Sequence, residues 1–187
     1  IEHVKSRLKS PESIIEKVYR RGYELSIPSI KENITDIAGV RITCAFTSDI
    51  YKISDMLQKQ RDIKLVEVKD YIKNPKPNGY KSLHLILKVP VFMSNQTENV
   101  CVEVQIRTIA MDFWASLEHK IYYKYDEEVP QHLLDELKEA ANTVSQLDKK
   151  MESIHNEVRQ IKEPLVSKEE LQELLINGEI YRIPDDF

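Results

Sequence analysis

Glycine is scarce in this 187-residue chain, with four in all. Neither a Walker phosphate loop nor a dinucleotide glycine fingerprint is present, which excludes the common backbone cradles for nucleotides. Cysteine is scarcer: Cys44 and Cys101 are the two present. They lie in separate apolar, strand-like runs and read as buried free thiols of a cytoplasmic protein. No set of Cys and His falls at a zinc spacing. No apolar run approaches about 18 residues, so no membrane span is expected, and no signal peptide is visible.

Charge is plentiful and unevenly placed. The net charge of −4 hides two basic clusters. Residues 1–22 carry six Lys/Arg against three Glu, a balance of +3, and residues 69–88 carry five Lys against one Asp, a balance of +4. Residues 126–187 carry seven Lys/Arg against sixteen Asp/Glu, a balance of −9. A long nucleic acid calls for a broadly basic face. Two local basic clusters in an acidic chain fit a small polyanion better, so DNA is not an expected partner and RNA is a weaker reading.

The stretch from Asp70 to His84 holds two prolines, two asparagines and a glycine, which predicts a loop over its first ten residues. Lys73, Lys76 and Lys81 offer point charges for phosphate. Gly79 frees the backbone beside Tyr80, whose ring offers a stacking face for a base. Upstream, Ser10-Pro11-Glu12 reads as a helix start with an N-cap and a proline in the first turn, and Gly22 as its end. Ile14, Ile15 and Val18 form its expected apolar stripe. Arg7 and Lys9 precede that helix, near its positive end.

Residues 27–35 read as a short helix. From Val40 to Phe46 apolar residues alternate with Arg41, Thr43 and Ala45, a strand of period two. Asp36 stands at its mouth, where a carboxylate suits a divalent cation. An arginine on an interior strand is costly unless paired, so Arg41 is expected to face a cleft holding an anion or an acid. A helix over 49–60 and a strand from Ile63 to about Val68 follow. Ser82–Val89 alternates again, with Leu83, Leu85, Leu87 and Val89 on one face and His84 on the other. After a turn at 94–99, Val102, Val104 and Ile106 face inward, while Cys101, Glu103, Gln105 and Arg107 share the opposite face. Residues 109–124 read as a helix with Ile109, Phe113, Trp114, Leu117 and Ile121 on its apolar side. A long amphipathic helix runs from Leu133 to Ile161, and a short one is expected over 167–176.

Two strand carboxylates, Asp36 and Glu103, can bridge one Mg²⁺, which takes oxygen ligands and keeps company with phosphates. With no glycine cradle, phosphate binding must rest on side chains and a metal. That fits phosphoryl or pyrophosphoryl transfer, where positioning and charge neutralisation carry the catalysis.

Four ordered motifs then make the chain resemble the RelA/SpoT synthetase family, in particular its single-domain small alarmone synthetases. They are Arg7-Leu-Lys-Ser-Pro-Glu-Ser-Ile14, Asp36-Ile-Ala-Gly-Val-Arg41, Asn78-Gly-Tyr-Lys-Ser-Leu-His84 and Glu103-Val-Gln-Ile-Arg-Thr108. The resemblance implies an α+β fold, a mixed five-stranded sheet flanked by helices with a long C-terminal helix. It implies transfer of the β,γ-pyrophosphate of ATP to the 3′-hydroxyl of GTP or GDP, with Mg²⁺ as cofactor. Carried over by motif, Arg7 and Arg41 would sandwich adenine, and Lys9, Ser13 and Lys17 would hold ATP phosphates with Lys69 nearby. Asp36 and Glu103 would bind the metal and act catalytically. Tyr80 would stack on guanine, Lys76, Lys81 and His84 would hold the acceptor's phosphates, and Gln105 would lie in the acceptor site. Asp112 stands where some relatives have an asparagine near guanine. The family also implies a homotetramer, residues 1–128 forming the catalytic domain and 129–187 the helices used for packing. The rival reading is a guanine-nucleotide-binding regulator that has lost catalysis.

Overall fold

The computed structural model describes residues 1–122, 129–162, 173–176 and 179–182. It divides into two compact units, Ile1–Lys149 and Lys150–Phe187.

The first unit is built on a five-stranded sheet. Its elements in chain order are β1 (His3–Leu8), α1 (Pro11–Arg21), α2 (Ile27–Asn33), β2 (Ala38–Cys44), α3 (Thr47–Gln58), β3 (Lys64–Asp70), β4 (Leu83–Phe92), β5 (Thr97–Thr108), α4 (Ile109–Tyr122) and the first part of α5 (Gln131–Lys162). The strand order is β1-β2-β5-β4-β3. Only the β2–β5 pair is parallel among these strands; β1–β2, β4–β5 and β3–β4 are antiparallel. The sheet is therefore the mixed five-stranded one that the resemblance implies.

Local chemistry explains the elements. Ser10 caps α1 by accepting from the Ser13 backbone N–H at 3.3 Å, and Pro11 takes the first turn, where its missing N–H costs nothing. Gly22 ends the helix at φ 68°, a left-handed conformation that glycine adopts freely. Val18 is the residue of α1 that is fully buried. β1 is a correction: residues 3–8 form an edge strand, where the sequence suggested only a lead-in to α1. All six of its residues are exposed, so it has no apolar face to announce it; it is held by its ladder to β2.

One sheet face is apolar. Ile42 and Cys44 of β2, Leu83, Leu85 and Leu87 of β4, and Val104 and Ile106 of β5 pack with Ile50 and Ile53 of α3 and with Met111. Burying each such side chain is worth about 1.5–3 kcal/mol.

The side of α4 that is buried differs from the expected stripe. Met111, Trp114 and Ala115 are buried, while Ile109, Phe113, Leu117 and Ile121 are exposed. The cause is α5, which covers the Trp114 side: Ala141, Leu137 and Val144 pack there and the indole N–H donates to the Leu137 carbonyl at 3.3 Å.

In the second unit, the end of α5 is followed by β6 (Glu173–Ile176) and β7 (Glu179–Arg182), an antiparallel pair with Glu173 opposite Arg182. The short helix expected over 167–176 is thus a strand over 173–176, and its remainder lies outside the described residues. Asn177-Gly178 between two apolar runs is the sequence signal for a hairpin. Among the described residues no helix is long and apolar enough to cross a membrane.

Candidate active site

The second face of the same sheet is polar, and strand register lines it up. Gly39 lies opposite Glu103 and Arg41 opposite Gln105 across β2–β5. His84 lies opposite Gln105 across β4–β5, Lys69 opposite His84 across β3–β4, and Arg7 opposite Gly39 across β1–β2. Side chains of period two thus bring residues from five strands to one surface. Two adjoining cavities open there. One, of about 220 Å³, is lined by Lys5, Ser6, Arg7, Gly39, Val40, Arg41, Glu103 and Gln105. The other, of about 490 Å³, is lined by Arg7, Arg41, Tyr80, Gln105, Arg107 and residues of α4 from Ala115 to Lys120. Arg7, Arg41 and Gln105 belong to both.

Asp36 sits just before β2. Its Oδ2 accepts from Lys9 Nζ at 2.6 Å and from Lys17 Nζ at 2.8 Å. Burial works to raise its pKa, but the hydrogen bonds and charges of Lys17 and Lys9 prevail and hold it below the ordinary Asp value. Its Oδ1 is buried and has no hydrogen-bond partner among the described residues. A buried carboxylate oxygen without a donor is a place for a cation or water.

Glu103 is half-buried, and both its oxygens are engaged. His84 Nδ1 lies 3.1 Å from Oε1, and Gln105 Nε2 donates to Oε2 at 2.9 Å. Burial raises its pKa; the hydrogen bonds from His84 and Gln105 outweigh that, and the carboxyl stays below the ordinary Glu value. The charge of Asp36 opposes them and pushes the Glu103 pKa upward. Among the described residues no group of three or more Cys, His, Asp or Glu could hold a metal. Asp36 and Glu103 are the carboxylates that this face offers to a hard cation, which takes oxygen ligands.

Tyr80 is half-buried on the loop before β4. Its hydroxyl lies 2.8 Å from His84 Nε2 and accepts from Arg107 Nη2 at 2.5 Å. Lys76 Nζ lies 4.7 Å, and Arg107 Cζ 5.1 Å, from its ring centre. Lys76 also lies 4.9 Å from the Tyr71 ring centre. A base stacking on Tyr80 competes with that ammonium for the ring.

The other expected residues fall as follows. Ser13 lies in the first turn of α1, its Oγ accepting from the Ser10 hydroxyl at 3.2 Å. Lys69 pairs with Glu67 at 3.0 Å; that hydrogen bond does most to raise its pKa, and the charge of Glu103 adds a lesser push. Lys81 points away from both cavities: its ammonium donates to Ser145 of α5 at 2.6 Å. The reason is Gly79, at φ 89°, which lies so close to α5 that an added Cβ would stand 2.5 Å from the Ala141 methyl. Asp112 Oδ1 pairs with Arg41 Nη1 at 3.2 Å and with Arg107 Nη1 at 3.1 Å. Arg41 Nε is buried without a partner among the described residues.

Arg107 was grouped with the polar face in sequence but given no role. It is 4% exposed, and its guanidinium reaches Ser82, Asp112, Tyr80 and Gln105. The signal was present: an arginine in the strand repeat of Glu103 and Gln105, directly before the buried end of β5.

The chain is similar to known proteins over most of its length. Residues 6–128 match the region found in RelA / SpoT proteins. The GTP pyrophosphokinase YwaC of Bacillus subtilis is 59% identical over 158 residues, 84% of this chain and 75% of that protein. The crystal structure of small alarmone synthetase 2 from Bacillus subtilis matches with a TM-score of 0.77 and 57% identity, covering 84% of this chain and 82% of that one. Small alarmone synthetase 1 from Bacillus subtilis, bound to its product pppGpp, matches with a TM-score of 0.78 and 39% identity over 84% of this chain and 80% of that one.

Proposed function

We propose, from the premise that this chain belongs to the RelA/SpoT family, that it is a GTP pyrophosphokinase. The ribose 3′-oxygen of GTP or GDP attacks the β-phosphorus of ATP. The bond between that phosphorus and the α,β-bridging oxygen breaks, AMP leaves, and pppGpp or ppGpp forms. The observation that carries this reading is the pair of adjoining cavities sharing Arg7, Arg41 and Gln105, with Glu103 lining the smaller one and hydrogen-bonded to the shared Gln105. Two nucleotides need such a double site, and the chemistry needs a carboxylate close to where they meet.

Each residue then has a task. Arg7 and Arg41 take the adenine between their guanidinium planes. Lys9 and Lys17, now on Asp36 Oδ2, turn to the ATP phosphates, with Ser13 and Lys69 supporting them. Tyr80 stacks the guanine. That displaces Lys76 from the ring and frees its charge for acceptor phosphates, beside His84. Gln105 and Asp112 line the acceptor side, and Lys81 joins if the loop shifts from α5. Glu103, ionised and held by both oxygens, accepts the hydrogen bond of the 3′-hydroxyl, aligns it and takes its proton as the new bond forms. The unpartnered Asp36 Oδ1 suits a hard cation, and Asp36 and Glu103 would hold Mg²⁺. When bound, the metal supplies charge neutralisation on the transferring phosphates.

The division into a catalytic domain over 1–128 and packing helices over 129–187 belongs to the same proposal, as does a homotetramer. Supporting the tetramer are exposed apolar residues along α4 and α5, among them Phe113, Ile121, Leu147 and Ile161. The absence of a hydrophobic spanning helix among the described residues agrees with a cytoplasmic enzyme.

The test is product analysis after mixing the protein with ATP, Mg²⁺ and either GTP or GDP. AMP and a guanosine penta- or tetraphosphate should accumulate one for one. ATP hydrolysis without transfer, or tight GTP binding without turnover, overturns the proposal.

A further inference from the structure

A guanidinium only donates hydrogen bonds, and that fact fixes the direction of every bond around Arg107. Its Nη2 donates to the Tyr80 hydroxyl at 2.5 Å and to Gln105 Oε1 at 3.0 Å. Tyr80 oxygen is thus an acceptor on that side, and its own proton is free to go to His84 Nε2, 2.8 Å away. A neutral imidazole that accepts at Nε2 carries its proton on Nδ1. That nitrogen lies 3.1 Å from Glu103 Oε1, so His84 donates to the carboxylate. In the second arm, Gln105 accepts at Oε1 and turns its amide NH₂ to Glu103 Oε2 at 2.9 Å. Two arms leave one guanidinium and end on the two oxygens of one carboxylate, closing a ring of five side chains. Asp112 Oδ1 anchors the source through Arg107 Nη1 and joins it to Arg41, at 3.1 and 3.2 Å.

The geometry points to Arg107 as a positioning residue: by directing both arms it orients the Glu103 carboxylate and ties that orientation to the placement of Tyr80. It touches neither reacting atom. The Tyr80 ring lines the larger cavity while its hydroxyl is a link in one arm, so a nucleotide that settles the ring also settles the acid. An arginine serving only as a buried partner for Asp112 has no such consequence. This inference rests on the proposed pyrophosphoryl transfer for its kinetic meaning, but not for its structural one.

Two measurements test it. The first needs no turnover. Nitrogen-15 NMR of the imidazoles of the nucleotide-free protein, with His84 assigned by loss of its signal in H84Q, should find the neutral ring protonated at Nδ1. Protonation at Nε2 overturns the relay. The second is a kinetic cycle of Y80F, R107K and the double variant, with ATP and GTP each varied. Y80F keeps the stacking ring and removes one link. It should lower kcat about ten-fold while the KM for ATP stays within about two-fold. R107K keeps the charge but not the planar fork, so it should lose at least as much. The double variant should be no worse than R107K alone, because the arm that Tyr80 serves is already cut. Multiplying losses, or full activity in R107K, overturns the proposal. If R107K fails to fold, Y80F decides: an unchanged kcat overturns it. A wild-type protein that makes no penta- or tetraphosphate contradicts the reaction, while the NMR result still judges the relay.

Discussion

The two faces of one sheet follow opposite rules. On the α3 side, Leu83, Leu85, Leu87, Val104 and Ile106 are buried without polar atoms, and an apolar side chain of similar volume fills the space at modest cost. On the cleft side, His84 and Arg107 are just as buried, but each is held by named partners at hydrogen-bond distance. Shape holds the first face and the direction of donors and acceptors holds the second. A change on the apolar face should therefore cost stability and spare chemistry, and a change on the polar face should do the reverse.

The largest separation is expected from Glu103→Gln. An amide can still accept from His84 at one oxygen, so the fold should persist with little change in melting temperature. Synthesis of the penta- or tetraphosphate should fall by about 10²–10⁴-fold, the range for loss of a positioned base. An active variant would mean that chemistry does not run through this face. Leu85→Ala probes the other side. A deleted core leucine costs about 2–5 kcal/mol, read by urea unfolding, while kcat per folded molecule at low temperature should be unchanged. A catalytic loss without a stability loss would erase the distinction.

Acid should act on the polar face alone. Asp36 and Glu103 are both held below their ordinary pKa values, so each contributes stability above its unfolded value, and that contribution is lost as the pH falls through the folded one. The stability advantage of the wild type over Asp36→Asn should thus shrink on acidification, whereas that over Leu85→Ala should not. The smallest effect belongs to Tyr51, whose hydroxyl donates to Asp70 at 3.2 Å beside the loop that carries Lys76 and Tyr80. Burial, then the Asp70 charge, push its pKa up to about 12. Because the folded value is raised, its contribution is full below the ordinary value and is lost as the pH rises through the folded one. Tyr51→Phe should cost about 1 kcal/mol at neutral pH and progressively less in strong alkali, read by chemical denaturation at both.

The apolar face was legible because it is periodic. The alternations at 40–44, 83–89 and 100–108 named its residues and, by exclusion, placed Arg41, His84, Glu103 and Gln105 opposite. Arg107 was not legible as a hub, because Tyr80 and Ser82 stand 27 and 25 residues away in the chain and only the fold brings them to its guanidinium. Lys81 carries the same charge as Lys76 in sequence, yet the approach of Gly79 to Ala141 turns it to α5. β1 was missed because an exposed edge strand has no apolar period. The α4 stripe was misassigned because four of its apolar residues are left uncovered, while α5 selects Trp114 and Ala115. In each case the missing information was a neighbour distant in sequence.

If the polar face holds donor and acceptor nucleotide side by side, calorimetric titration of GTP into protein already saturated with Mg²⁺ and a non-hydrolysable ATP analogue should find one GTP bound per chain, with affinity not reduced by the analogue. Competitive exclusion of GTP by the analogue would mean that the two nucleotides share one place and that no double site exists.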